Sequence, residues 1–87
     1  MSVTNLLLLQ ILHRKKNSMQ INEIVKGFQE LGMNKPPTKT LIYATLQKLA
    51  TKKHVEVNWR ENNKLYKLSA TGLDELAKIE MLLRVER

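Results

Sequence analysis

The side chains between Lys35 and Lys67 are the ones whose types and spacing could do chemistry, and that chemistry is recognition of a polyanion. Eight basic residues fall in this stretch (Lys35, Lys39, Lys48, Lys52, Lys53, Arg60, Lys64 and Lys67) against two acidic ones, Glu56 and Glu61, so it carries six of the chain's seven net positive charges. A field of that strength in a small body favours phosphate-bearing partners. Groupings that would support catalysis are missing. His13 and His54 are the only histidines, and the three glycines, Gly27, Gly32 and Gly72, are scattered. There is no Ser/His/Asp set, no His-Glu-x-x-His and no glycine-rich phosphate loop. The absence of cysteine excludes disulfides, thiolate zinc sites and cysteine nucleophiles. The expectation is a protein that is not an enzyme and uses no cofactor and no metal.

Within the basic stretch, Thr38, Lys39, Thr40, Tyr43, Ala44 and Gln47 recur at helical spacing, opposite a stripe of Ile42, Leu46 and Leu49. These types suit base edges. Lys donates to guanine acceptors, Gln pairs with adenine, and Ala or a Thr methyl touches the thymine methyl. Tyr43 can reach a phosphate or a sugar. Lys35, Lys48, Lys52 and Lys53 suit phosphates, contacts that position a protein without reading sequence. Arg60, Asn62, Asn63 and Lys64 sit at a turn between two alternating segments. A cationic tip of this kind can lie on the backbone or enter the minor groove. The competing explanation is a hairpin edge kept soluble by its charges. Trp59 is expected to pack, His54 to point outward, and Arg14-Lys15-Lys16 to be a solvated helix end.

These residues need elements to hold them. The chain has 87 residues, enough for one domain with one modest core. Val3 to His13 is apolar around most of a helical circumference. Ile21, Ile24, Val25, Phe28 and Leu31 follow at three- and four-residue spacing, and Gly32 closes that helix. Met19 to Ile21 reads as a short extended piece. Pro36-Pro37 breaks the chain, and Thr38 caps the next helix, whose apolar positions include Leu41. The period then changes: Val55, Val57 and Trp59 alternate with polar neighbours, as in a half-buried strand. Arg60-Glu61-Asn62-Asn63 is the turn, and Tyr66 and Leu68 share a face of the return strand. Ser69 caps a final helix. Helices are therefore predicted at about 3–14, 21–31, 39–52 and 70–85, with strands at about 54–59 and 64–68. The class is mainly α with a small β-hairpin, in the order α-α-α-β-β-α, which is a winged helix-turn-helix. It fills a single domain over 1–87, with a C-terminal dimerisation helix at about 70–87.

Two blocks, Ile42-Tyr43-x-x-Leu46-x-x-Leu49 and Tyr66-x-Leu68-Ser69-x-x-Gly72-x-x-x-Leu76, resemble the PadR family of winged-helix transcriptional regulators in order and spacing. The resemblance covers roughly residues 6 to 77. It departs from the family at Lys53, where a Gly is usual, in its short wing, and in a last helix that ends where many members continue; the chain looks like a minimal PadR-like member. What the resemblance implies is a homodimeric DNA-binding repressor. Some members sense small molecules, but no residue here can be matched to an inducer site.

Surplus apolar surface also points to a homodimer. Leu6 and Leu9 on the first helix, with Leu76, Ile79, Leu82 and Leu83 on the last, exceed what one small core can cover, and contiguous patches of this kind mark interfaces. The function read from the sequence is a repressor of transcription that binds double-stranded DNA sequence-specifically. The helix at 39–52 would read the major groove, and the wing at 60–64 would lie on the backbone or in the minor groove. The alternative is a winged-helix protein–protein interaction module or assembly subunit, which has no need for so much positive charge. RNA binding ranks third, because it favours exposed aromatics. No signal peptide or spanning segment is visible, so the expected location is cytoplasmic, away from membranes.

Overall fold

The computed structural model describes residues 3–85. Its elements run α1 (Val3–Lys15), α2 (Ile21–Glu30), α3 (Lys39–Thr51), β1 (Val55–Arg60), β2 (Asn63–Leu68) and α4 (Ala70–Val85). Every bound lies within one residue of the sequence expectation. The last two residues of the expected dimerisation helix, 86–87, fall outside the described residues. No helix among the described residues is long and apolar enough to cross a membrane.

α1 is the hub. It packs against α2, α3, α4 and β2, and Leu8, Leu9, Ile11 and Leu12 are all buried. Around it stand Ile24 and Phe28 of α2, Ile42, Leu46 and Leu49 of α3, Val55 and Tyr66 of the hairpin, and Leu76 of α4. The core thus takes one stripe from each element, and the α3 stripe is the one its spacing predicted.

Local chemistry sets the boundaries. Thr38 caps α3, its hydroxyl accepting a hydrogen bond from the Leu41 N–H at 3.1 Å. At the other end of α3 the His54 N–H donates to the Leu49 carbonyl and the Lys53 N–H to the Ala50 carbonyl. That paired closure requires a left-handed residue between helix and strand. Lys53 supplies it with φ +63°, although glycine would adopt this conformation without steric cost. The position thus has the geometry that favours glycine, and this chain meets it with lysine.

β1 and β2 pair antiparallel in the register Val55↔Leu68, Val57↔Tyr66, Trp59↔Lys64 and Arg60↔Asn63. The loop has two residues, Glu61 (φ +49°) and Asn62 (φ +65°), and both are left-handed, as a hairpin turn matched to strand twist demands. Asn63, expected in the turn, is the first residue of β2; Glu61 takes the left-handed place instead. Met19 adds a single bridge on the free edge of β2, exchanging two 2.8 Å hydrogen bonds with Tyr66. The extended piece expected at residues 19–21 is this one residue.

The join between hairpin and α4 is tight. The Ser69 hydroxyl donates to the Lys53 carbonyl at 2.6 Å and accepts from the Gly72 N–H at 2.9 Å. A Cβ on Gly72 would overlap the His54 carbonyl oxygen. The Ser-x-x-Gly spacing is thus a packing device that clamps α4 onto the end of α3. His54, expected to point outward, is half-buried in this join with its Nδ1 enclosed and without a hydrogen-bond partner. It lies in the bend before β1, so strand alternation does not govern it.

Candidate nucleic-acid interface

The outward side of α3 carries Lys39, Thr40, Tyr43, Ala44, Gln47 and Lys48, all exposed. One turn of helix is 3.6 residues, so Thr40, Ala44 and Gln47 stack along the centre of this face, opposite Ile42, Leu46 and Leu49. Tyr43 borders it on the wing side. Thr38 and Lys35 are exposed where the preceding loop leads into α3. The Lys39 ammonium donates to Asn22 Oδ1 at 3.1 Å, which ties the first turn of α3 to the start of α2. Lys39 is thereby held at the edge of the face.

The wing residues separate. Strand alternation and register put Lys64 and Trp59 on the inner face of the hairpin, the face that buries Val55 and Tyr66 nearer its base, and Arg60 and Asn63 on the opposite face. The Lys64 ammonium stands 5.9 Å from the Trp59 ring centre and 5.6 Å from that of Tyr66. Both distances permit attraction to the ring faces. Burial raises the pKa of the Tyr66 hydroxyl above the ordinary tyrosine value, and the neighbouring Tyr43 adds to the shift. Tyr43, Tyr66, Trp59, Lys64 and Asn62 line an open cleft of ≈ 360 Å³ between α3, the start of α2 and the wing.

Two exposed apolar side chains on this surface escaped the sequence reading. Trp59, expected to pack, is 69% exposed, because the hairpin runs on past the core that covers Val55. Leu41, counted among the apolar positions of α3, is 46% exposed and lies one helical period of seven from Lys48. The alternation of β1 did place Trp59 on the inner face; nothing in the pattern marks where along that face the core ends.

The expected subunit seam divides too. Leu9 and Leu76 are 0% and 2% exposed, enclosed by their own chain and spent in its core, so they are not free to form a seam. Leu6 and Ile79 are half-buried against that core. Leu82 and Leu83 are exposed, as expected for an interface, and Met81 beside them is exposed as well.

The sequence matches no family model and no curated protein. Solved structures match it in fold. A PadR family transcription regulator from hypervirulent Clostridium difficile superposes with a TM-score of 0.83 at 19% identity, covering 97% of this chain and 90% of that one. A winged-helix DNA-binding protein from STIV gives 0.85 at 12% identity with the same coverage, 97% and 90%. Bordetella bronchiseptica BpsR, whose DNA binding is regulated by 6-hydroxynicotinic acid, gives 0.78 at 13% identity over 97% of this chain, which spans 56% of BpsR's length. Likeness at these identities establishes the architecture: the chain is a winged helix of the kind found in PadR-family and other DNA-binding transcription regulators.

Proposed function

We propose that the protein is a cytoplasmic transcriptional repressor that binds double-stranded DNA sequence-specifically as a homodimer. α3 enters the major groove, with Thr40, Ala44 and Gln47 toward the base edges, Lys39 and Tyr43 at the wing-side margin, and Lys35 and Lys48 on phosphates. Arg60, Asn62, Asn63 and Lys64 of the wing meet the flanking backbone or minor groove. The observation that carries this reading is the outward face of α3, polar and exposed along its length inside the most basic stretch of the chain. A protein-contact module would gain nothing from that charge, and phosphate contacts would use it directly.

The dimer reading rests on α4. Met81, Leu82 and Leu83 are between 52% and 66% exposed in succession, continuing a helix whose Leu76 is in the core. A second copy of the helix would cover Leu82 and Leu83 and place two reader helices to face successive turns of a palindromic site. Leu83→Asp would leave a charge in that apolar seam. Light scattering should give twice the 10.1 kDa chain mass for the native protein and a shift toward one chain for the variant. For DNA recognition the test is a gel shift on DNA upstream of the protein's own coding region against an unrelated duplex, at two salt concentrations. Preference for the upstream DNA that survives the higher salt supports the proposal. Equal affinity for both with a steep salt slope would reduce it to generic polyanion binding.

A further inference from the structure

Resting on that reading of duplex binding, we infer that Trp59 is the wing's apolar DNA contact: its indole packs on the deoxyriboses of the strand crossing the cleft between α3 and the wing, and Lys64 meets a phosphate of the same strand. Tryptophan is highly buried on average, and the exposed Tyr43 lines the same cleft as Trp59, so the two rings form an apolar patch of the kind that marks a contact site. Trp59 is nevertheless 69% exposed, on the face of the hairpin that is buried nearer its base. Its position is fixed, since the register sets it opposite Lys64 and a two-residue turn closes the hairpin just beyond. The Lys64 ammonium lies over one side of the ring at 5.9 Å, and most of the indole is left open.

The chemistry around it selects the occupant. Lys64 stands within 6 Å of the Trp59 and Tyr66 rings, so a cation is held at the cleft wall. Asn22 and Asn62 on the rim bring amide donors suited to phosphate oxygens. An apolar floor with a cationic, amide-bearing rim complements a sugar–phosphate strand. It does not complement a second copy of this chain, whose equivalent surface is equally basic, and the exposed α4 residues belong to a helix that does not line the cleft. A duplex seated on α3 presents its backbone here with its bases paired, so the indole meets sugar.

The contact is apolar, so it should add affinity without adding salt dependence, unlike Arg60 or Lys64. Trp59 is the only tryptophan, and its emission reports on this site alone. The probe is a fluorescein-labelled mixed-sequence duplex several helical turns long, with anisotropy following binding and tryptophan emission following the contact. Binding should change Trp59 emission. Trp59→Ala should weaken binding roughly tenfold at every salt concentration with an unchanged salt slope, as loss of buried apolar area predicts, and Trp59→Phe should recover most of that loss. Circular dichroism should show both variants folded, since the side chain is exposed. Saturated anisotropy with unchanged emission would overturn the inference and leave DNA binding standing. Stronger quenching by the corresponding single strand than by duplex would overturn it in favour of base stacking. No binding by anisotropy would overturn both this inference and the proposed function.

Discussion

At the base of the hairpin, Val55 and Tyr66 are buried, Ser69 is bonded to the Lys53 carbonyl, and Gly72 leaves no room for a side chain. At the tip, a few residues along the same two strands, Trp59, Arg60, Glu61 and Asn62 stand in solvent, and the turn is built from two left-handed residues that are not glycine. The register is continuous between the two ends, and the same face carries Val55 and Tyr66 at the base and Trp59 and Lys64 at the tip. What changes is whether helices lie beneath it. The base contributes to stability because α1, α2 and α3 cover it; the tip is free to meet another molecule because it extends past those helices. Substitutions should therefore divide cleanly, altering folding at the base and binding at the tip.

The largest effect should come at the base. Gly72→Ala forces a methyl into the His54 carbonyl, a backbone atom that cannot move aside without shifting the end of α3. The expected cost is about 3 kcal/mol, lowering Tm by more than about 10 °C in a domain of this size. Duplex affinity of the fraction that remains folded should be unchanged. Weaker binding without loss of Tm would contradict the division between base and tip.

Lys53 lies on the boundary and sharpens the comparison. A left-handed conformation costs an L-residue roughly 1–2 kcal/mol that glycine avoids. Lys53→Gly should therefore raise stability by about 1 kcal/mol, read from denaturant unfolding at unchanged m-value. If the Lys53 side chain also meets a phosphate, the same variant loses salt dependence in DNA binding, so stability and affinity move in opposite directions.

The smallest effect on folding should come at the tip. Arg60→Ala and Lys64→Ala should each change stability by less than about 0.5 kcal/mol. Each should flatten the salt dependence of duplex binding by about one unit per lost phosphate contact. They lie on opposite faces of the wing, so the double variant should show the sum of the single changes. An unchanged salt slope in both would place the wing off the DNA.

Much of the base was legible in the sequence. Thr38 after two prolines, Gly32 after an amphipathic run and Ser69 before Gly72 are local signals, and each sits where its chemistry requires. The α3 stripe was readable because a helix buried on one side repeats its apolar residues at a fixed period. Long-range facts were not legible. Asn22 and Lys39 are 17 residues apart, and their contact exists only once α2 and α3 are packed. A helix apolar nearly all round, as α1 is, gives no sign of which leucines its own core will enclose, so Leu9 reads as interface although it is interior, and in α4 the apolar run through Leu76, Ile79, Leu82 and Leu83 does not mark where the core ends. Trp59 fell on the correct face and was still misjudged, because alternation records orientation and not the extent of the core.

The most direct test of the account asks whether the outward face of α3 reads bases. Thr40→Ala combined with Gln47→Ala should be measured by competition, on DNA upstream of the protein's own coding region and on an unrelated duplex at the same salt concentration. A good bidentate base contact is worth roughly 1–3 kcal/mol, so the account predicts that the double variant loses affinity for the upstream DNA by about tenfold or more while its affinity for the unrelated duplex falls much less. Equal losses on both duplexes would show that these side chains reach only phosphates and would contradict the assignment of α3 as the reading element.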